Sequence, residues 1–297
     1  MRINPDSTTY LLNVLSSAQE EEQVAMRQMS TGRRVQVASD DPAASAAVSV
    51  NLQEQSRQDQ YLQSISSVRE MLSASDSALS GVVEALTRAV TVGVQGATGT
   101  LSGDERTSLA NEVDGIRDQV LSLANASFQG VFLFSGTKLT TKPFSADENS
   151  ASVVAYSGNQ LVNSVYVGDG HLVPTAVAGD SLFMDPAANV FGSLQGLVNA
   201  LKKNDADGVA TATGQVRDAL SHVSGLRVTY GSGLSLLDSD EQFLQSAKLQ
   251  AQARETELVG VDPAEAITRM QQAQYARDAT LAAVARTQQK TLLDYLP

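Results

Sequence analysis

The sequence predicts a mainly α protein: an elongated bundle of long helices with paired terminal helices and a small β-rich outer module inserted midway. Three observations carry this reading. Apolar residues recur at alternating steps of four and three along most of the chain, and helix-start signals open the long periodic runs. In addition, half of the Phe and Tyr residues fall between Phe128 and Phe183, where the period shortens to strand-like runs.

The first helix carries Leu11, Leu15, Ala18, Glu22, Ala25 and Met29, a heptad seam interrupted by a carboxylate. It stops near Ser30-Thr31-Gly32, because Gly is favoured just past a helix end, and Val35-Gln36-Val37 then alternates in a short loop or hairpin. Ser39-Asp40-Asp41-Pro42 starts a helix running to about Val92, since a side-chain oxygen can cap free N–H groups and Pro fits the first turn. Its stripe reads Leu62, Ile65, Arg69, Leu72, Asp76, Leu79, Val83, Leu86 and Val90, with Val68, Met71, Ala78 and Val82 beside it. So wide a face suits a bundle, and about 50 helical residues span roughly 75 Å, a rod-like length.

Gly93, Gly96 and Gly99 break that helix, and Ser102 with Glu105 forms a capping box ahead of the seam Leu109, Val113, Ile116, Val120 and Leu123. Short strand-like runs then occupy Ser152 to Tyr156, Val162 to Val167 and His171 to Val177. Helical spacing returns at Val190, Leu194, Leu197 and Leu201. After a turn at Asn204 to Gly208, it runs through Ala212, Val216, Ala219, Val223, Leu226 and Tyr230 to about Gly260, with Gly231 and Gly233 weakening the helix without ending it. Asp262-Pro263-Ala264-Glu265 opens the last helix, whose line Ile267, Met270, Leu281 and Val284 is interrupted by Gln274, Arg277 and Gln288 before an apolar tail at Leu292, Leu293, Tyr295 and Leu296. The expected organisation is an amino-terminal assembly segment, 1–42; a first rod part, 43–129; the β-rich module, 130–186; a second rod part, 187–260; and a carboxy-terminal assembly segment, 261–297.

Composition narrows function. With 33 acidic against 21 basic residues the net charge is −12, which disfavours a nucleic-acid partner and repels anionic membrane surfaces. No apolar run was expected to approach the roughly 20 residues of a membrane helix. The absence of cysteine excludes disulfides and thiolate catalysis, and the polar residues from Met1 to Asp6 do not read as a cleavable secretory signal. His171 reads as part of a turn and His222 as a boundary residue on a helix; no phosphate loop or dinucleotide fingerprint occurs. No catalytic, cofactor or metal site is expected. Glu20-Glu21-Glu22 and Asp238-Ser239-Asp240-Glu241 read as solvated helix faces, except that Glu22 sits on a seam, where an inter-subunit pair with a basic residue or a water-exposed seam would each explain it.

Three blocks at fixed spacing carry a resemblance: Met1-Arg2-Ile3-Asn4; Gln28-Met29-Ser30-Thr31-Gly32-Arg33-Arg34-Val35; and Ser39-Asp40-Asp41-Pro42-Ala43-Ala44. Together they resemble the amino-terminal signature of the flagellin superfamily. Within it, Gly130-Val131-Phe132-Leu133-Phe134-Ser135-Gly136 with Pro143-Phe144, and the ending Leu292-Leu293-Asp294-Tyr295-Leu296, are similar to the hook-filament junction family. Pro5 and Val37-Ala38-Ser39 depart from the superfamily pattern. The resemblance implies terminal helices paired in the inner wall of a tube, with the long helices outside them and the β module outermost. It implies an extracellular structural adaptor of the bacterial flagellum, exported unfolded by a type III apparatus with a cytosolic chaperone. Its partners would be the first hook-associated protein, flagellin and copies of itself.

The terminal seams hold mostly Ala and polar residues, so both ends are expected to depend on neighbouring copies for cover, the alternative being two ordinary terminal helices packed on their own domain. Leu11, Leu15, Ala18, Met29, Leu281, Val284, Leu292 and Leu293 are the expected subunit contacts. Leu62, Leu72, Leu86, Leu109, Ile116, Val216 and Val223 are expected to hold the chain's own bundle. A bulk filament subunit is the alternative of the same class, disfavoured by the Phe132 to Phe144 block and the Leu292 to Leu296 ending. A hydrolase using Asp169 and His171, or an adhesin using the outer module, are the alternatives of other classes.

Overall fold

The computed structural model describes residues 5–147, 150–175 and 177–293. Among them the order is α1 (Pro5–Thr31), α2 (Pro42–Gly96), α3 (Gly103–Ala124), β1 (Ser127–Phe128), β2 (Val131–Phe132), β3 (Phe144–Asp147), β4 (Ser150–Tyr156), β5 (Ser164–Gly168), β6 (His171–Pro174), α4 (Gly179–Phe183), α5 (Val190–Lys202), α6 (Ala206–Val259) and α7 (Pro263–Leu293). The fold is a helical bundle with a small β module. Its six strands form three antiparallel hairpins, β1-β2, β3-β4 and β5-β6. Two compact units emerge: the first holds residues 1–57 and 246–297, the second 58–245.

The helix starts follow from their caps. Asp41 Oδ1 accepts the Ala44 N–H at 3.0 Å, Asp262 Oδ1 accepts the Ala264 N–H at 2.8 Å, and Ser102 and Glu105 complete a reciprocal capping box. Pro5, a departure from the superfamily pattern, stands at the start of α1, where its fixed φ and missing donor are harmless. Gly231 and Gly233 leave α6 continuous. α4 departs from the expectation of a purely strand-bearing stretch up to residue 186: five residues are too few to show a helical period.

The second unit contains the large apolar core. Ile65, Leu79, Val82 and Leu86 of α2 are buried with Val113, Ile116 and Val120 of α3, Leu194, Leu197 and Leu201 of α5, and Val216 and Val223 of α6. Beneath the β module, Phe134, Phe144, Tyr156, Phe183 and Phe191 pack with ring centroids 5.1 to 6.0 Å apart. Gly136 has φ +69° and is crowded by Asn159 and the Leu161 carbonyl, so only glycine fits the module entry. Arg106, 5% exposed, donates to Gly96 O at 3.0 Å, to Thr98 O at 2.8 Å and to Asn204, tying the α2-α3 loop to the turn before α6.

The polar interruptions of the α2 stripe are matched on α6. Arg69 pairs with Asp238 at 2.7 Å and with Glu241, and Asp76 takes two bonds from Arg227 at 2.7 and 3.1 Å. Partner numbers fall along α6 as they rise along α2, the mark of antiparallel packing. One window of α2 is long and apolar enough to cross a membrane by length and composition, contrary to the sequence expectation, and 44% of that window is buried.

Tyr230 links the layers: it is 3% exposed, its oxygen accepts the Val177 N–H at 3.0 Å, and burial pushes its pKa up to about 12. A raised tyrosine pKa gives stability that is complete below the unfolded value near 10 and is lost as pH rises through the folded value. Denaturant titrations from pH 10 to 12 are therefore expected to lose about 2–3 kcal/mol. Tyr230→Phe should flatten most of that slope, leaving the smaller contribution of half-buried Tyr156, which shifts the same way.

Candidate assembly interface

The first unit is built differently. α1 and α7 lie side by side and antiparallel, with residue pairs whose Cα atoms approach within 8 Å. Their seam consists of Ala18, Glu22, Ala25 and Gln28 from α1 with Ala266, Ala273 and Thr280 from α7, all buried. The α7 members recur every seven residues, as a coiled-coil line requires, and side chains this small allow the backbones to approach closely. Glu22, 8% exposed, accepts from Arg277 at 2.7 Å and from Gln274 at 3.3 Å. Three of the four interruptions of the terminal seams, Glu22, Gln274 and Arg277, thus find one another inside the chain, and the Gln288 side chain lies outside the described residues. Neither the inter-subunit pair nor the water-exposed seam considered from sequence is needed for Glu22.

The sequence blocks around Gly32 and Asp40 form the junction of the pair. Gly32 turns the chain with φ +69°, after which Arg34 N–H donates to Val259 O at 2.6 Å and Val261 N–H to Gly32 O at 3.1 Å. Arg33 and Gly260 form an antiparallel bridge, so the loops after α1 and before α7 are stitched together. Arg33 pairs with Glu255 at 3.0 Å, Arg34 with Asp41 at 3.2 Å, and Gln28 Nε2 donates to Arg34 O at 3.1 Å. Asp40 receives the N–H groups of Gln36 and Val37, which hold its carboxyl below the usual range. The Ala44 N–H and Arg34 do the same for Asp41. The Val37-Ala38-Ser39 link thus closes as a turn on Asp40.

Cover is what this unit lacks. Its buried apolar residues are Ala, plus Val35, Val48 and Val259; no Leu, Ile, Met or aromatic side chain is buried among its described residues. Among its described residues twelve large apolar side chains are exposed, with Tyr10 at 69%, Leu12 at 52%, Met26 at 50% and Tyr275 at 77%. Of the expected contact residues, Met29 and Leu281 are exposed, Leu11, Leu15 and Val284 half-buried, and Ala18 buried in the seam. Leu292 and Leu293 end α7, but their side chains, like Tyr295 and Leu296 altogether, lie outside the described residues. Sequence reading missed Gln28, which takes the seam place given to Met29 because its amide reaches the Arg34 carbonyl.

The residues weighed for catalysis are engaged in structural contacts. Asp169 accepts from Tyr61 at 3.0 Å, and His171 lies 3.4 Å from Asp240, so both fasten the β5-β6 turn to helices of the second unit. His222 Nε2 meets Ser181 O at 2.8 Å. Among the described residues no group of three or more His, Asp or Glu side chains could hold a metal ion.

Long terminal helices paired through a small-residue seam, and stitched at the loops after α1 and before α7, are in keeping with a chain of the flagellin type. Residues 7–139 match the family model of the bacterial flagellin N-terminal helical region, and residues 213–296 that of the C-terminal helical region. The chain is 30% identical over 262 residues to flagellar hook-associated protein 3 of Escherichia coli, covering 79% of this chain and 80% of that protein. It is also 30% identical over 275 residues to flagellar hook-associated protein 3 of Salmonella typhimurium, covering 84% of each. A solved flagellar hook-associated protein from Vibrio parahaemolyticus superposes with TM-score 0.69 at 25% identity, over 74% of this chain and all of that one. Hook-associated protein 3 from Legionella pneumophila shares the fold, with TM-score 0.65 at 16% identity over 71% of this chain and 98% of that one. The chain belongs to the flagellar hook-associated protein 3 family, and it is a structural component of the bacterial flagellum.

Removing one partner of a half-screened pair leaves the other charge without compensation. Glu22→Ala is therefore expected to loosen the α1-α7 pair by about 1–2 kcal/mol. Limited proteolysis should show it as roughly tenfold faster cleavage within α1, with the second unit cut at an unchanged rate.

Proposed function

We propose that this chain is the structural adaptor that joins the flagellar hook, through the first hook-associated protein, to the flagellin filament. The observation that supports it most is the contrast between the units: one buries Leu, Ile and Phe, while the other buries mainly Ala and leaves twelve large apolar residues in water. Large apolar side chains left uncovered on a helix pair are candidates for contact with a partner. In this reading segments 1–42 and 261–297 are the assembly parts, 43–129 and 187–260 the bundle, and 130–186 the outer module. Leu11, Leu15, Met29, Leu281, Val284, Leu292 and Leu293 touch neighbouring copies, and Ala18 sets the spacing of the pair that presents them.

The same reading places the chain outside the cell after type III export without a cleaved signal, with a cytosolic chaperone before secretion. It assigns no catalysis, because Asp169, His171 and His222 serve as fasteners. The runner-up, a bulk filament subunit, would polymerise alone into long filaments; an adaptor would not.

Comparison of two truncations tests the division of labour. Ile116→Ala, in the core of the second unit, should cost about 2–5 kcal/mol in monomer melting. Leu281→Ser, 46% exposed, should leave monomer melting unchanged and reduce incorporation into the polymer. Equal losses of monomer stability in both would count against the reading.

A further inference from the structure

The two terminal helices carry opposite charge. α1 has Asp6, Glu20, Glu21 and Glu22 against Arg27 alone, a net −3. α7 has Arg269, Arg277, Arg286 and Lys290 against Glu265 and Asp278, a net +2. Part of this is consumed inside the chain, by Glu22 with Arg277 and by Glu265 with Arg269. Glu20, Glu21 and Arg286 have no such partner among the described residues.

These unmatched charges sit beside complementary shapes. Along one flank of the pair runs a cleft of about 520 Å³, with Ser17, Glu20, Glu21 and Val24 on one wall and Arg269 and Gln272 on the other. On the side of α7 turned away from Ala266, Ala273 and Thr280, a ridge of Tyr275, Ala279, Ala282 and Arg286 follows four-three-four spacing, all exposed. The α1 wall with its end at Gln28 and the ridge each span eleven residue steps, about 16 Å at ~1.5 Å per residue. An antiparallel ridge would set Tyr275 near Gln28, Ala279 near Val24, Ala282 near Glu21 and Arg286 near Ser17, about one helical turn from Glu20 and Glu21 and within reach of its long side chain. The two alanines permit the close approach that α1 already makes with its own α7.

We propose that the α1-α7 cleft receives the Tyr275–Arg286 ridge of α7 from a second copy of this chain, with Arg286 of that copy paired to Glu20 and Glu21. The proposal rests on the assembly reading above and deepens it. Cleft and ridge are different surfaces, so the contact is heterologous and passes from copy to copy, the type that generates rings or helical tubes. Like charge opposes α1 against α1, which gives the contact its direction.

A chain without cysteine makes the test direct. Full-length Val24→Cys and Ala279→Cys chains are mixed in equal amounts at high concentration and low salt, then oxidised and digested, and the disulfide-linked peptides are quantified by mass spectrometry. Every 24–279 bond is intermolecular, because the two thiols start on different chains. Peptides joining 24 to 279 should exceed the 24–24 and 279–279 species by about tenfold, where random collision gives about twofold. Arg286→Glu on the second chain should lower their yield about tenfold, and Glu20→Lys with Glu21→Lys on the first should restore it. Predominant like-with-like bonds, or no restoration, would overturn the cleft assignment. If light scattering shows larger species without 24–279 bonds, only this contact fails; if the chains neither associate with one another nor enter the flagellar polymer, the assembly reading fails with it.

Discussion

The structure turns on a seam made of alanine. Besides Glu22 and Gln28, the buried positions of α1 and α7 among the described residues are Ala18, Ala25, Ala266, Ala273 and Thr280, and each contributes about one methyl group, roughly 0.8 kcal/mol, where a buried leucine would contribute about 2–3. Small seam residues bring two backbones close and, by the same geometry, push every larger apolar side chain to the flanks. The seam of the pair therefore buries little apolar area while Leu12, Met26, Tyr275 and Leu281 stay exposed. The second unit, by contrast, buries Ile65, Leu79, Leu86, Phe134 and Leu197 fully.

Register in both units is set by charge rather than by shape. An alanine seam has little to distinguish one alignment from another, and Glu22 against Arg277 and Gln274 supplies the missing specificity, as polar residues do at coiled-coil core positions. In the second unit Arg69 with Asp238 and Glu241, and Asp76 with Arg227, act similarly on a wider apolar face. The loops at Arg33 and Gly260, stitched by an antiparallel bridge, hold α1 and α7 side by side where they meet. The Asp40 carboxylate, receiving the Gln36 and Val37 N–H groups, and the Asp41 carboxylate, receiving that of Ala44, fix the turn that leads into α2.

What the sequence revealed was local. Capping oxygens at Asp41, Ser102 and Asp262 act within three residues, and the apolar period exposes the buried stripe of α2 and α3 directly. What it concealed was long-range. The partner of Glu22 lies 255 positions away, so a matched pair looked like three separate flaws in two seams. The five-residue α4 was too short to show a period, and Gln28 replaced Met29 in the seam through a hydrogen bond that no apolar pattern reports. The aromatic enrichment between Phe128 and Phe183 marked the β module, but its hairpin pairing depended on registers that only coordinates supply.

The central claim is that α1 and α7 owe their final stability to other copies. Amide hydrogen exchange along α1 and α7, in the isolated chain and again in the assembled flagellum, measures this directly. The account predicts fast exchange at Ala18, Ala25, Ala266 and Ala273 in the free chain, and slowing by at least a hundredfold on assembly, with Ile116 and Leu197 slow in both. Equal protection of those alanines in the free and assembled states would contradict it.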